Sequence, residues 1–203
     1  MSQETKSQVR SRVRRTLGEL PASVRRAQSA SLRERLEAFV DTARVRTLVA
    51  FWPTDREPDI APLLGQWFQA GIRVLLPVVA DFSRRSPGNL PAGSPPRIFL
   101  ARFTGEDSLT PNRWGIREPA GPEVPAPTSP LVLVPAVAVD RTGGRIGHGF
   151  GYYDELLGPL ECPLSVAVVF REQITSSLPR EDHDRTVSVI ITPDEVIRTA
   201  SRA

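Results

Sequence analysis

A chain of 203 residues with one cysteine, Cys162, cannot close an intramolecular disulfide, which fits a reducing, cytoplasmic compartment. No apolar run approaches the roughly 18 residues that cross a bilayer, so a membrane partner is not expected. The N-terminal stretch MSQETKSQVRSRVRR lacks the apolar segment of a secretory signal. It is rich in Arg and Ser, as a transit peptide is, but Glu4 and Glu19 argue against that reading. Aromatic residues make up only 6% of the chain, and none falls among the arginines of residues 6–20. Proteins that hold single-stranded nucleic acid need aromatic platforms on which bases stack, so no nucleic-acid partner is expected. Phosphate signatures are missing too: no glycine loop runs into Gly-Lys-Ser/Thr, and no G-x-G-x-x-G follows a strand.

Lysine is almost absent. Of 26 basic residues only Lys6 is a lysine. A position that keeps a compact ammonium where arginine is otherwise used throughout suits a point charge for phosphate, although retention by chance near a terminus explains it equally well. The net charge is only +3, and the basic excess sits at the front, where residues 1–46 hold eleven Lys/Arg against five Asp/Glu. These charges alternate with Val9, Val13, Leu17 and Leu20 at helical spacing, so most of the arginines read as the solvated face of an amphipathic helix over 6–20.

What is present concentrates in residues 143–154. This stretch holds both tyrosines, one of the two histidines and the alternating glycines Gly147, Gly149 and Gly151. Alternating glycines let the backbone take positive φ and bring its N–H groups against a ligand, and successive amides form an anion-binding concavity. An apolar run at 131–139 (LVLVPAVAV) reads as a buried strand before the loop, and residues 152–157 read as a helix after it. Strand, glycine loop and helix N-terminus in that order suit a nucleotide phosphate. A tight strand-to-helix turn with no ligand fits the same residues.

Around this loop the chain alternates helices and strands. A second amphipathic helix is expected over 23–43 on Val24, Leu32, Leu36 and Phe39, and a third over 59–70 with Asp59 as N-cap and Gly71 past its end. Strands are expected at 45–52, 72–79, 98–103, 131–139, 164–170 and 187–192. The pattern predicts one α/β domain over 1–203, Rossmann-like and three-layered, with a mostly parallel or mixed central sheet flanked by helices. Residues 80–96 and 119–130, rich in Pro and Gly, are expected as surface loops, and 193–203 as a flexible tail. Two polar clusters accompany the loop. Trp52 could lay a flat face against a heterocycle and Glu57 could accept from its ring nitrogens; an edge-of-core Trp before a charged turn fits equally. Residues 178–184 (LPREDHD) precede the last strand, and their carboxylates could join Asp154 around Mg²⁺ or form a solvated acidic turn with His183 as a surface histidine.

Taken together, the pieces Lys6-x-x-x-Arg10, Glu57-Pro58-Asp59, Leu75-Leu76-Pro77, Gly115-Ile116-Arg117-Glu118-Pro119, Val134-Pro135 with Asp140, Arg-Ile-Gly-x-Gly-x-Gly-Tyr-Tyr-Asp at 145–154, Glu172-Gln173-Ile174 and His183-Asp184 resemble the 5-formyltetrahydrofolate cyclo-ligase family. The resemblance implies an ATP- and Mg²⁺-dependent ligase that closes 5-formyltetrahydrofolate to 5,10-methenyltetrahydrofolate and releases ADP and phosphate. In it the formyl oxygen takes the γ-phosphoryl group, N10 adds to the activated carbon, and phosphate leaves. It implies catalytic roles for Lys6, Arg145, Tyr152 and Tyr153, and ATP contacts from Lys6, Arg10, Arg145, Ile146, Gly147, His148, Gly149, Phe150, Gly151, Tyr152 and Tyr153. It further implies folate contacts from Trp52, Glu57, His148, Gly149, Phe150, Gly151 and Tyr152, Mg²⁺ ligands in Asp154 and Asp184, and a monomer. Two positions depart from the family pattern. Phe150 stands where many relatives carry Lys or Gly, and Ile60 replaces the Thr of a Glu-x-x-Thr segment. Those departures motivate a second reading, a weakened folate- or nucleotide-binding relative, and the N-terminal arginines motivate a third, a basic nucleic-acid-binding protein.

Overall fold

A computed structural model describes residues 4–79, 98–149, 151–158, 160 and 164–199. The expected loop at 80–96, Cys162 and Phe150 lie outside them. Helix α1 (Lys6–Glu19) starts at a reciprocal cap, in which Thr5 Oγ1 accepts from Gln8 N–H and Gln8 Oε1 accepts from Thr5 N–H. It buries Val9, Val13 and Leu17, the stripe that the spacing predicts. Helix α2 (Ala22–Phe39) buries Gln28, Ser29, Leu32 and Leu36, while Val24 is exposed, contrary to expectation. A spacing of four drifts by about 40° per step on a helix of 3.6 residues per turn, so three steps back from Leu36 the stripe has left the core. Helix α3 (Ala61–Gln69) begins two residues later than expected, with Ile60 at the N-cap. Asp59 still serves the helix start, because its Oδ1 accepts from Ala61 N–H at 3.2 Å. Gly71 follows at φ 85°, a left-handed turn that returns the chain to the sheet.

The strands in chain order are β1 (Thr47–Val49), β2 (Arg73–Val79), β3 (Ile98–Arg102), β4 (Leu109–Pro111), β5 (Arg117–Pro119), β6 (Leu131–Val134), β7 (Ala138–Asp140), β8 (Arg145–Ile146), β9 (Leu164–Val168), β10 (Ile174–Thr175), β11 (Val189–Ile191) and β12 (Val196–Arg198). The main sheet runs β12-β11-β9-β6-β1-β2-β3. Its interior pairs are parallel, and antiparallel β3 and β12 close its edges. This is the mixed, largely parallel α/β sheet expected, with one buried cluster on each face. Among the described residues no helix is long and apolar enough to cross a membrane.

Two sequence expectations need correction. The run 131–139 is not one strand: β6 enters the main sheet, whereas β7 joins a small sheet ordered β10-β7-β8. Pro135 lies at the break, where it has no N–H to give a ladder. The expected tail over 193–203 holds β12, whose Ile197 pairs with Ile190 of β11, so at least 196–198 are part of the sheet. Its short length hid it, since three residues carry no readable alternation.

The strand order reverses about β1, with β2 on one side and β6 on the other. Chain segments leaving the carboxyl ends of β1 and β6 therefore diverge, and the crevice between them is where open α/β sheets take ligands. One buried carboxylate fixes the chain there. Asp140 Oδ1 accepts from Thr142 N–H (3.0 Å), Thr142 Oγ1–H (2.7 Å), Gly144 N–H (3.0 Å) and Arg180 Nη2 (2.7 Å), and Oδ2 accepts from Leu178 N–H (3.2 Å). The packing is tight: a Cβ on Gly144 would lie 2.5 Å from Arg180 Nε. Burial alone would raise the Asp140 pKa, but the Thr142 and Gly144 hydrogen bonds and the Arg180 charge outweigh it and hold the carboxyl below its ordinary value. A depressed folded pKa contributes stability that is complete above the unfolded value of about 3.9 and is lost as pH falls through the folded value. Asp140→Ala is expected to lose about 1–3 kcal/mol at neutral pH, because it leaves the buried Gly144 and Leu178 N–H groups without their acceptor. Urea unfolding should find that gap closing once wild-type Asp140 is protonated in acid.

Candidate functional site

A cavity of about 650 Å³ opens at the crevice. Phe51 and Trp52 reach it from the end of β1, Pro77 and Val79 from β2, and Pro135 from the end of β6. Lys6 and Arg10 line it from α1, Gly147, His148, Gly149 and Gly151 from the glycine loop, and Tyr152, Tyr153 and Asp154 from the start of α4 (Tyr152–Leu157). Segments far apart in sequence thus meet on one wall, and every described residue expected in the site lines it.

The charged groups form interlocked pairs. Lys6 Nζ lies 2.7 Å from Asp184 Oδ2 and 3.1 Å from Glu181 Oε2. Burial by itself would lower the Lys6 pKa, but the bonds to Asp184 and Glu181 prevail and raise it, so the ammonium stays charged. Arg145 Nη2 donates to Asp154 Oδ1 at 2.6 Å, with the Arg145 side chain only 3% exposed. Its Nε is buried with no hydrogen-bond partner among the described residues, so a buried guanidinium edge is unsatisfied. Two of the three cations expected to meet phosphate, Lys6 and Arg145, are therefore held by the two carboxylates expected to hold Mg²⁺.

The glycine loop is built partly as expected. Gly149 and Gly151 take φ of 107° and 72°, a region open to glycine, while Gly147 does not. Arg10 Nε donates to Gly147 O at 2.8 Å, which clamps the loop onto α1. Arg14, which the sequence reading left on the solvated face, lies 3.2 Å from His148 Nδ1. That contact assigns Nδ1 as acceptor and turns the Nε2 side toward Glu57 Oε1, 3.7 Å away. The expected phosphate site at the α4 N-terminus is not supported. α4 is six residues long and already carries Asp154 and Glu155 in its first turn, which complement the positive end of its small dipole. Ile146 is 2% exposed and is largely a core residue that touches the cavity wall.

Aromatic side chains and further carboxylates complete the lining. Trp52 packs at the core edge, with its ring centroid 5.9 Å from that of Phe103, and also lines the cavity. The Arg117 guanidinium lies 5.3 Å from the Trp52 ring centre. Glu57 is fixed by Thr54, whose N–H and Oγ1–H both donate to Oε2 at 2.9 Å. Tyr153 is half-buried, with its hydroxyl buried and unpartnered among the described residues, and burial of that group, reinforced by Glu57, pushes its pKa far up. Burial raises that of Tyr152 as well. Both phenols are therefore neutral. Trp114 and Glu118 also line the cavity. Sequence reasoning gave them no chemical role, although Glu118 stood inside a quoted motif; a lone Glu in a short strand reads as a solvated charge. Ile60 is fully buried and is not a cavity residue, so the departure at that position changes the core and not the site.

A divalent cation fits the donor set. Asp154 Oδ1 accepts from Arg145 and, at 3.2 Å, from Arg185 N–H, which places the residue next to Asp184 against Asp154. Asp184, Glu181 and the exposed His183 offer ligand atoms within 4.8 Å of one another. Carboxylate oxygens beside groups that could hold phosphate are what Mg²⁺ takes.

Comparisons with known proteins agree with this architecture. The family model of the 5-formyltetrahydrofolate cyclo-ligase family matches residues 2–193. A 5-formyltetrahydrofolate cyclo-ligase from Mycolicibacterium smegmatis is 33% identical over 197 residues, spanning 95% of this chain and 96% of that protein. One from Escherichia coli is 30% identical over 167 residues, 80% of this chain and 86% of that protein. The solved structure of Aquifex aeolicus 5,10-methenyltetrahydrofolate synthetase superposes with a TM-score of 0.76 at 28% identity, covering 98% of this chain and 95% of that one.

Proposed function

This chain belongs to the 5-formyltetrahydrofolate cyclo-ligase family, and we propose that it closes 5-formyltetrahydrofolate to 5,10-methenyltetrahydrofolate, converting ATP to ADP and phosphate, at the cavity between β1 and β6. The observation that carries the proposal is that cations and a flat aromatic face line the same cavity. Lys6, Arg145 and an arginine-clamped glycine loop line one cavity together with Trp52 and Glu57.

The division of labour follows from charge and shape. Lys6 and Arg145 attract the triphosphate and stabilise charge as the γ-phosphoryl group moves to the formyl oxygen. Gly147, Gly149 and Gly151 let the backbone lie close to nucleotide and folate, and Arg10 holds that loop in place. Trp52 stacks on the pterin and Glu57 accepts from its ring nitrogens. Tyr152 and Tyr153, neutral at any working pH, act as donors between the two ligands. Asp154 and Asp184 would hold Mg²⁺, which would supply charge neutralisation to the phosphates. Lys6 and Arg145 would turn from their carboxylate partners to phosphate, and the aspartates so released would be free to hold a divalent cation. No net charge has to be desolvated alone, which lowers the electrostatic cost of entry.

Incubation with 5-formyltetrahydrofolate, ATP and Mg²⁺, followed by the absorbance of the methenyl product, tests the proposal. Product should form and should stop when ATP or Mg²⁺ is withheld. Folate binding without turnover would favour the weakened relative, a reading that the buried Ile60 no longer motivates. Salt-sensitive RNA binding without folate binding would favour the third reading. Arg10 and Arg14 speak against it, since both are turned onto the glycine loop.

A further inference from the structure

The proposed ring closure leaves one proton without an acceptor. When N10 attacks the activated carbon, the N10–C bond forms, the carbon–oxygen bond to phosphate breaks with its electron pair leaving on phosphate, and the N10–H proton must go elsewhere. A base on the cavity wall is therefore needed, within hydrogen-bond reach of the proton it takes. Five carboxylates line the cavity: Glu57, Glu118, Asp154, Glu181 and Asp184. Four of them face basic groups. Asp154 holds Arg145, Asp184 and Glu181 hold Lys6, and Glu57 lies beside His148.

Among the described lining residues Glu118 is the carboxylate that neither a cation nor an imidazole faces. Its Oε1 accepts from Val79 N–H at 3.1 Å and from Asn112 Nδ2 at 2.9 Å, and Oε2 accepts no hydrogen bond from the described residues. The residue is 8% exposed, and Oε2 is not among the buried atoms that lack a partner. Glu118 lines the cavity, and Oε2 is the oxygen that no described donor occupies. The neighbouring Arg117 does not neutralise it, because its guanidinium is bonded to Glu106 and lies over Trp52. Tyr152 faces it from α4 as a neutral phenol. A carboxylate on the cavity wall, held by two donors on one oxygen and by no described donor on the other, is a positioned base whose affinity for a proton is not spent on a cation.

We propose that Glu118 is a catalytic residue of the ring closure, its Oε2 taking the N10 proton of the substrate as N10 bonds to the activated carbon. The protonated carboxyl then returns its proton to solvent after product leaves. Burial, only partly offset by Val79 and Asn112, raises the Glu118 pKa, which strengthens it as a base. The inference rests on the cyclo-ligase reading.

Glu118→Gln tests it, because the amide keeps an acceptor for Asn112 and Val79 and removes the base. Turnover should fall about 100-fold, the usual contribution of a general base, while the KM values for ATP and 5-formyltetrahydrofolate stay near those of the wild type. In a rapid-quench experiment ADP should appear ahead of the methenyl absorbance. Wild-type turnover, a raised KM for the folate and an unchanged kcat would make Glu118 a recognition residue and overturn the proposal; so would equal slowing of ADP and methenyl formation, which would place Glu118 in phosphoryl transfer. If the glutamine variant does not fold, Glu118→Asp takes its place. That variant draws the carboxylate back by one methylene and should lower kcat alone, an unchanged kcat again overturning the proposal. A wild-type protein inactive in the same assay would fail the cyclo-ligase reading itself, a result distinct from any of these.

Discussion

Replacing Lys6 with alanine is expected to lower kcat/KM for ATP about a thousandfold, the upper range for removing one preorganised charge from a transition state, with folate binding and thermal stability nearly unchanged. The two effects separate because they draw on different interactions. In the free protein Lys6 is bonded to Asp184 and Glu181 with its side chain 20% exposed, and an ion pair so near water contributes only about 0–1 kcal/mol. Against a triphosphate the same ammonium meets far more negative charge inside a closed cavity, where the interaction is screened less. Lys6→Arg should recover only part of the activity. The guanidinium is planar and longer, and it would have to fit both the Asp184–Glu181 pair and the phosphates in one geometry. Steady-state kinetics with ATP varied, alongside thermal melts, decide the matter. An ATP dependence unaltered in Lys6→Ala would return Lys6 to the solvated face of α1.

How far such a prediction could be made from sequence differs between fold and site. The boundaries of α4 coincide with the expected 152–157, because glycine stops just before and a compact apolar pair, Leu156 and Leu157, faces inward. The α1 stripe was legible for the same reason: local spacing alone determines it, while the Thr5-x-x-Gln8 cap in front of it went unread. Elements defined only by their neighbours were not. β7, β8, β10 and β12 are two or three residues long and exist because another segment pairs with them.

The site follows the same division. Lys6, Arg145, Asp154 and Asp184 could each be named from the resemblance, but that Lys6 holds Asp184 across 178 positions is a fact of the fold. Glu118 carries no local mark of burial. Only the Val79 and Asn112 donors and the wall around them make it different from any surface glutamate. Ile60 misled in the opposite direction, since a missing hydroxyl in a motif suggests a lost ligand contact until the position proves to be fully buried at the head of α3.

Asp154→Asn is expected to lower turnover about a thousandfold at limiting Mg²⁺, in the range seen when one charge-stabilising element is lost, and to be partly rescued by added metal. Two losses combine. A neutral amide is a poorer ligand than a carboxylate for this hard cation, so the Mg²⁺ concentration needed for half-maximal turnover rises. The substitution also deprives Arg145, 3% exposed, of its only ion-pair partner described here, at 2.6 Å, and an uncompensated buried charge costs roughly 3–5 kcal/mol. Thermal melts report the second loss and Mg²⁺ titrations at saturating ATP report the first, so the two are read apart. Asp184→Asn should raise the Mg²⁺ requirement with a smaller fall in stability. Its cation, Lys6, keeps Glu181 at 3.1 Å, and the Asp184 pKa, which burial would raise, is held below its ordinary value chiefly by the Lys6 bond. Stability from that depressed pKa is present above the unfolded value near 3.9 and lost as pH falls through the folded one, so the difference between Asp184→Asn and wild type should fade in acid. If neither variant needs more Mg²⁺ than the wild type, the aspartates serve only to hold Lys6 and Arg145. If Asp154→Asn alone shifts the titration, Asp154 is the metal ligand and Asp184 is a partner for Lys6.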